Sequence, residues 1–397
     1  MSDQSRINAA SGPLVGLKVI DFSNFIAGCY TALLLGDLGA DVIKVEPLEG
    51  DGARFWGPFL AGESRFFQGW NRSKRSIAVD LRSDAGREIV HGLLRGADIV
   101  VENFRPGVTK KIMIDYETVR EFNPGAIYCS ITGFGTKGPH GNRPAYDPIL
   151  QCMSGAARGN ARYCGQTSIG SVAVSDYGAG LLGSTGILAA LYHRERSGEG
   201  QRIETSLLQA AMAVQNHMYC DALEVEEEPP FGIYPYRLFE TQDDLIFIAG
   251  PTNKFWQILC DALGVPELAE DSRYETNPDR VEHAEELTEL LQPLFRQKTT
   301  AEWEAILVER GVPCGPVMTW EEFFETPQVA AMGMNRRVEH SKIGPMRVPG
   351  VPLDFEKTPG RIQRAAPTLG EQTDEILSQI GYDAARIAVL REEGRIG

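Results

Sequence analysis

At 397 residues, with 43% hydrophobic and 23% charged side chains, the chain has the size and composition of a folded protein of two domains or three, neither disordered nor fibrous. Its net charge of −15 argues against a nucleic-acid partner, which needs a concentrated basic face. No apolar run of about 18 residues occurs and MSDQSRINAASG lacks the pattern of a signal peptide, so no membrane association and a cytoplasmic location are expected.

Leu17 to Phe22 (LKVIDF) reads as a buried strand, Ala27 to Leu38 as a helix and Asp41 to Val45 as a second strand. Two further rounds follow. Ser76 to Asp80, Ala85 to Leu94 and Asp98 to Glu102 make one, and Tyr116 to Phe122 with Ala126 to Thr132 the next. Repeated βαβ units predict an α/β fold with a doubly wound, mostly parallel, Rossmann-like sheet and ligands at the carboxyl ends of its strands. The first turn, DFSNFIAG, lacks G-x-G-x-x-G, so a dinucleotide is not expected although Glu46 ends the second strand. Lys44, Arg72, Lys74, Arg75, Arg82, Arg105, Lys110, Lys111 and Arg143 fall at strand ends and the loops after them, where together they could hold a ligand with several phosphates. Tyr146 precedes Asp147-Pro148, a helix start with proline in its first turn.

The segment from Gly170 to Glu195, GSVAVSDYGAGLLGSTGILAALYHRE, reads as a strand at Val172 to Val174, a turn carrying Asp176, and a helix from Leu181. An aspartate there is an N-cap, a nucleophile, or both. Gly178 and Gly180 would leave backbone N–H groups open to an anion or oxyanion. After the strand Gln201 to Glu204, a long helix is expected from Ser206 to about Leu223, then a boundary at EVEEEPPFG. Beyond it come a hairpin around Gln242-Asp243-Asp244 and helices near 252 to 263, 280 to 296 and 301 to 310, the last with a Thr299/Glu302 capping box and a stop at Gly311. The division expected is a large α/β domain over 1–224, a smaller α+β domain over 225–330, and a segment over 331–397, with a helix at Glu371 to Ile380, that returns to the large domain. Seven cysteines without C-x-x-C and six histidines without H-E-x-x-H predict free thiols and no metal site.

These pieces, in this order, resemble the class III CoA-transferases of the CaiB/BaiF type: GLKVIDFS, LGADVIKVE, NRSKRSIAVDLRSDAGRE, ADIVVENFRPG, YCSITGFG, YDPILQCMSG, VSDYGAGLLGSTGILAAL, ERGVPCGPV and APTLGEQTDEIL. The resemblance implies that Asp176 is the catalytic nucleophile, acylated by a donor acyl-CoA and then carrying CoA itself as an aspartyl thioester. It places Ile26, Ala27, Val79, Arg82, Asn103, Phe104, Arg105 and Lys111 against CoA, with Arg143 among the basic residues, and Tyr146 and Asp147 beside the reacting carbonyl. It further implies an interlocked homodimer, an acyl-CoA and a carboxylic acid as partners, and no cofactor bound permanently. Related racemases carry histidine where this chain has Tyr146, which favours transfer over α-carbon racemisation. The glycine-rich loop of formyl-CoA transferases has no counterpart in FGIYPYRLF, which argues against formyl/oxalate specificity. The acceptor that the resemblance implies is a small dicarboxylate, such acids being common partners of the family, its distal carboxylate met by Tyr236 or Arg237. A racemase, or a non-catalytic acyl-CoA binding protein, are the alternatives.

Overall fold

The computed structural model describes residues 11–161, 166–220 and 232–397, which fall into two compact units, one up to residue 219 together with 327–397 and one over 220–326. The larger unit is built on six strands, β1 (Lys18–Asp21), β2 (Asp41–Glu46), β3 (Lys74–Ala78), β4 (Ile99–Glu102), β5 (Ile127–Thr132) and β6 (Arg202–Ser206). They pair in the order β3-β2-β1-β4-β5-β6, each pair parallel. Winding therefore reverses between β1 and β4, which lie side by side with Val19 opposite Ile99.

Seven helices matter for this unit: α1 (Ala27–Asp37), α2 (Arg65–Asn71), α3 (Asp84–Arg95), α4 (Tyr116–Phe122), α5 (Asp147–Met153), α6 (Val174–Ser197) and α7 (Leu207–Ala213). Side chains alternate across a strand, so a run of apolar residues feeds both faces of the sheet. Val19, Val42, Ile99, Val101 and Cys129 join one core with Leu35 of α1, Ile187 of α6 and Ala210 of α7. Ile20, Ile43, Ile77, Val100 and Tyr128 join the other with Ile89, Val90, Leu93 and Leu94 of α3. The spacing of those four residues is one helical stripe, started by Ser83, whose hydroxyl accepts the Gly86 amide, and stopped at Gly96.

The start of α6 differs from the sequence reading. Val172 to Val174 form no strand, and the helix begins at Val174 with Asp176 in its first turn. A carboxylate from another helix makes this possible. Asp147 of α5 accepts the Ser175 amide at 2.6 Å, satisfying a donor that Ala173 at the N-cap has no side chain to meet. Gly178 and Gly180 consequently lie inside the helix and serve packing instead of presenting free amides. A Cβ at Gly180 would come within 2.9 Å of the Ala27 carbonyl oxygen, and one at Gly183 within 2.8 Å of Thr31 Oγ1. Thr31 in turn donates to the Gly180 carbonyl at 3.0 Å, so α1 and α6 meet backbone to backbone.

After β6 the expected long helix stops at Ala213, followed by a 3-10 turn over Asn216–Tyr219. Its expected end and most of the acidic Pro-Pro boundary lie outside the described residues. The smaller unit carries the antiparallel sheet β9-β8-β7, made of β7 (Tyr236–Glu240), β8 (Leu245–Ala249) and β9 (Cys314–Pro316). Helices Asn253–Leu263, Ala284–Phe295 and Thr300–Glu309 cover it around Trp256, Tyr274, Phe295 and Trp303, and the Thr299/Glu302 capping box is present. From 327 the chain rejoins the larger unit through an unforeseen hairpin, β10 (Asn335–His340) with β11 (Gly344–Pro349), then α8 (Thr373–Gln379) and α9 (Ala384–Glu392). Ile376, Leu377, Ile387, Leu390 and Ile396 enter the same core as α3, and the Gly397 amide donates to the Ala78 carbonyl.

The close contact of α1 and α6 sets an expected outcome. Gly180→Val should lower unfolding stability by about 1–3 kcal/mol through overpacking. Gly69→Ala in α2, where an added Cβ meets nothing within 4 Å, should be neutral or stabilising. Urea unfolding of the two variants checks both.

Candidate active site

Loops at the carboxyl ends of β1, β4, β5 and β6 converge with the start of α6 around a cavity of about 320 Å³, at the point where the winding reverses. The wall after β1 is Asn24, Phe25, Ile26 and Ala27; after β4 it is Asn103, Phe104, Arg105 and Pro106. Ile131 and Thr132 end β5, Gly133, Arg143, Ala145 and Tyr146 follow it, and Asp176 and Leu207 also line the cavity.

The two loops at the reversal hold each other. The Asn24 amide donates to Asn103 Oδ1 and Asn103 Nδ2 donates to the Asn24 carbonyl, each at 2.8 Å. Glu102 accepts the Phe104 amide at 2.9 Å, and burial pushes its carboxyl up to about 7 despite the Ser130 and Phe104 hydrogen bonds. Phe25 stands in the left-handed region, φ +60°, immediately before α1. Ile26 at the N-cap of α1 carries no side-chain cap, and the first amide with a helical acceptor is that of Tyr30, onto the Ile26 carbonyl. The start of α1 thus has no side-chain cap, and Ile26 and Ala27 there line the cavity.

Asp176 is half-buried on the wall, and its carboxylate accepts no hydrogen bond among the described residues. It is not the cap of its own helix, since Asp147 does that work. Asp147 is 3% exposed, and Gln151 donates to its second oxygen at 2.5 Å. Burial, with the Asp147 charge adding to it, pushes the Asp176 carboxyl up to about 7.

The structure brings Asp176, Ile26, Ala27, Asn103, Phe104, Arg105, Arg143 and Tyr146 to one cavity, with Asp147 directly behind the wall. Val79 is buried in the core, while Arg82 and Lys111 are exposed outside that lining. Four basic residues of the expected cluster are committed elsewhere: Lys44 pairs with Asp51, Lys74 with Asp21, Arg72 with Asp37, and Arg75 with Asp41 and Glu375, each cationic side chain buried. Lys44, Lys74 and Arg75 lie on strands and Arg72 is the C-cap of α2, and all four side chains are taken up inside the protein. Tyr236 and Arg237 belong to the smaller unit, where Arg237 donates to Thr288. Sequence reasoning missed Asn24, Phe25, Thr132, Ala145 and Leu207. Only the DFSN turn, rich in short polar residues, carried a signal for any of them.

Residues 14–373 match the model of CoA-transferase family III. The chain belongs to that family. A succinate–glutarate CoA-transferase of Agrobacterium fabrum is 37% identical over 385 residues, covering 93% of this chain and 96% of that protein. A succinyl-CoA:glutarate CoA-transferase of Homo sapiens is 34% identical over 391 residues, covering 96% and 89%. The crystal structure of a CaiB/BaiF family protein from Brucella suis superposes with a TM-score of 0.81 at 35% identity, covering 93% of this chain and 100% of that one. This CoA-transferase is therefore an enzyme of CoA thioesters, and the cavity is its candidate active site.

In the CoA-transferase, Asp147→Asn removes the like charge while keeping an acceptor for the Ser175 amide. The Asp176 midpoint should fall from about 7 by the smaller part of its shift that the Asp147 charge causes, with burial still holding it above the ordinary carboxylate range. A carbon-13 NMR titration of the Asp176 carboxyl carbon checks this, and an unmoved midpoint would show the two carboxylates to be uncoupled.

Proposed function

We propose that the enzyme moves CoA from the thioester of one dicarboxylic acid, such as succinyl-CoA, to a second small dicarboxylate, with Asp176 as nucleophile. The observation that carries this is a half-buried carboxylate, relieved of capping duty by Asp147, on the wall of a cavity at the carboxyl edge of the sheet. The relatives named for succinyl-CoA and glutarate, and a succinyl-CoA:mesaconate CoA-transferase of Haloarcula marismortui at 33% identity, favour dicarboxylates on both sides.

An Asp176 carboxylate oxygen attacks the thioester carbonyl, the C–S bond breaks, and a mixed anhydride forms with release of CoA thiolate. The thiolate attacks the aspartyl carbonyl and expels the donor acid, leaving CoA on Asp176 as a thioester. The acceptor carboxylate attacks that carbonyl, giving a second anhydride, and the thiolate returns to the acceptor's acyl carbon and frees Asp176. Each anhydride has a carboxylate leaving group, which divides one hard exchange into easier ones. The uncapped amides at the start of α1, at residues lining the cavity, take the role of donors to each tetrahedral oxyanion in this reading, in place of those of Gly178 and Gly180. Arg105 and Arg143, without a carboxylate partner among the described residues, with Arg82 and Lys111 farther out, supply positive charge for the CoA phosphates. No histidine lines the cavity among the described residues, so a second base for α-carbon racemisation has no candidate of that type there. Exposed Leu181, Leu188 and Tyr192 of α6 and Met212 of α7 offer the apolar surface that a second copy would cover in a homodimer.

Asp176→Asn should reduce transfer from succinyl-CoA to glutarate by about 10⁴-fold or more. Hydroxylamine added during turnover should convert Asp176 of the wild-type enzyme to a hydroxamate, read by peptide mass spectrometry; an unmodified Asp176 would sink the aspartyl route. Because the nucleophile must be ionised, kcat/KM should fall by about tenfold per pH unit below about 7.

A further inference from the structure

A second buried device touches the cavity from beneath. Lys44 Nζ lies 3.0 Å from Asp51 Oδ2, both side chains 0% exposed, so the pair is sealed from water. Both partners meet Cys29 Sγ of α1, and each also contacts the turn that follows β1. Lys44 donates to the Ser23 carbonyl at 2.7 Å, and Asp51 Oδ1 accepts the Phe25 amide at 3.2 Å. The same oxygen accepts the Ala53 amide at 2.9 Å, which fixes the carboxylate's own orientation. Of the four non-glycine residues with positive φ among the described residues, Phe25 alone lines the cavity. A side chain there resists the left-handed region, and such a conformation persists only where its surroundings impose it. Asp51 is followed by Gly52, where a Cβ would come within 2.7 Å of Phe25 Cζ, so the segment after Asp51 is also shaped around this residue.

From the strained turn the chain passes directly into Ile26 and Ala27, the uncapped start of α1. Ile26 and Ala27 both line the cavity, so a change of φ at Phe25 to a negative value would reorient their amides relative to it. We infer that Asp51, backed by Lys44, is a positioning residue for the transfer reaction, holding Phe25 left-handed so that the Ile26 and Ala27 amides face the tetrahedral oxyanions formed on Asp176. The inference rests on the reading that Asp176 is acylated. Asp51 touches no substrate; it acts through the backbone of the turn.

Two variants separate this role from plain stability. Asp51→Ala and Asp51→Asn both leave Lys44 without its carboxylate and should lose thermal stability to a similar degree. Asn keeps an acceptor for Phe25, whereas Ala does not. Single-turnover acylation by succinyl-CoA, normalised to folded enzyme, should fall by about 10- to 100-fold in Asp51→Ala. It should stay within about threefold of wild type in Asp51→Asn, with KM for succinyl-CoA within about twofold in both. Equal losses in the two variants, or a loss carried by KM, would overturn the positioning role. Should Asp51→Ala not fold, hydrogen exchange on the wild-type enzyme decides. The Phe25 amide should be protected throughout, and the Ile26 and Ala27 amides should gain protection only with a non-hydrolysable thioester analogue bound; no gain there overturns the inference. Hydroxamate formation at Asp176 in the wild type is the control, since its absence defeats the aspartyl route itself, whereas its presence with equal variant rates defeats positioning alone.

Discussion

Two ammonium groups with no access to water, those of Lys44 and Lys74, constrain how the carboxyl edge of the sheet can be built. A buried cation left unpaired costs several kcal/mol, so each side chain dictates where a carboxylate must stand: Asp51 at 3.0 Å from Lys44 and Asp21 at 2.8 Å from Lys74. Burial alone would raise the Asp21 carboxyl, yet Lys74 and Lys44 together hold it below its ordinary value. Burial also opposes the charge on Lys44, and Asp51 with its neighbours more than reverses that. Lys74 donates further to the Cys29 carbonyl and to Asn71, tying β3 to α1 and α2 in one contact set. The loop between β1 and α1 lies over this ionic floor.

A second constraint is the division of labour between two aspartates. One carboxylate cannot both satisfy its own helix and remain available for chemistry at full strength, because hydrogen bonds to the charged form lower its nucleophilicity along with its pKa. Here Asp147 caps α6 from outside and Asp176 is left with no hydrogen-bonding partner among the described residues. The arrangement has a cost in folding. A carboxyl whose folded pKa lies above its unfolded one contributes stability at low pH that is lost as the pH rises through about 7, the range in which Asp176 becomes ionised. Reactivity and stability therefore run in opposite directions across neutral pH.

Local pattern carried most of the larger unit. The apolar runs of β1, β2, β4 and β5 and the stripe on α3 are short-range signals, and the strands and helices stand within a few residues of where those signals put them. What stayed hidden depends on partners distant in sequence. Val172 to Val174 has the composition of a strand, yet the Asp147 cap, 28 residues away from Ser175, makes it a helix start. Lys44, Arg72, Lys74 and Arg75 look like ligands for phosphate because sequence gives their position in or beside a strand but not the acid facing each of them. Phe25 is the hardest case, since nothing about a phenylalanine announces a positive φ; only the acceptor at Asp51 and the space left by Gly52 require it. The hairpin of β10 and β11 is obscured by Gly344 and Pro345 at the start of its second strand and Pro349 at its end.

The return of residues 327–397 to the first unit has a consequence for biosynthesis. One face of the six-stranded sheet is closed by Ile376, Leu377, Ile387, Leu390 and Ile396, and Ile396 makes a bridge with Val79. On the ribosome those residues emerge only after the whole of 220–326 has been made. Until then Ile43, Ile77 and Val79 have part of their covering missing, and a nascent sheet with an open apolar face is a target for aggregation and for chaperones. The unit over 220–326, with a core of its own, can mature earlier. Translation thus completes the inserted unit before its host, whose closure depends on contacts of long sequence separation.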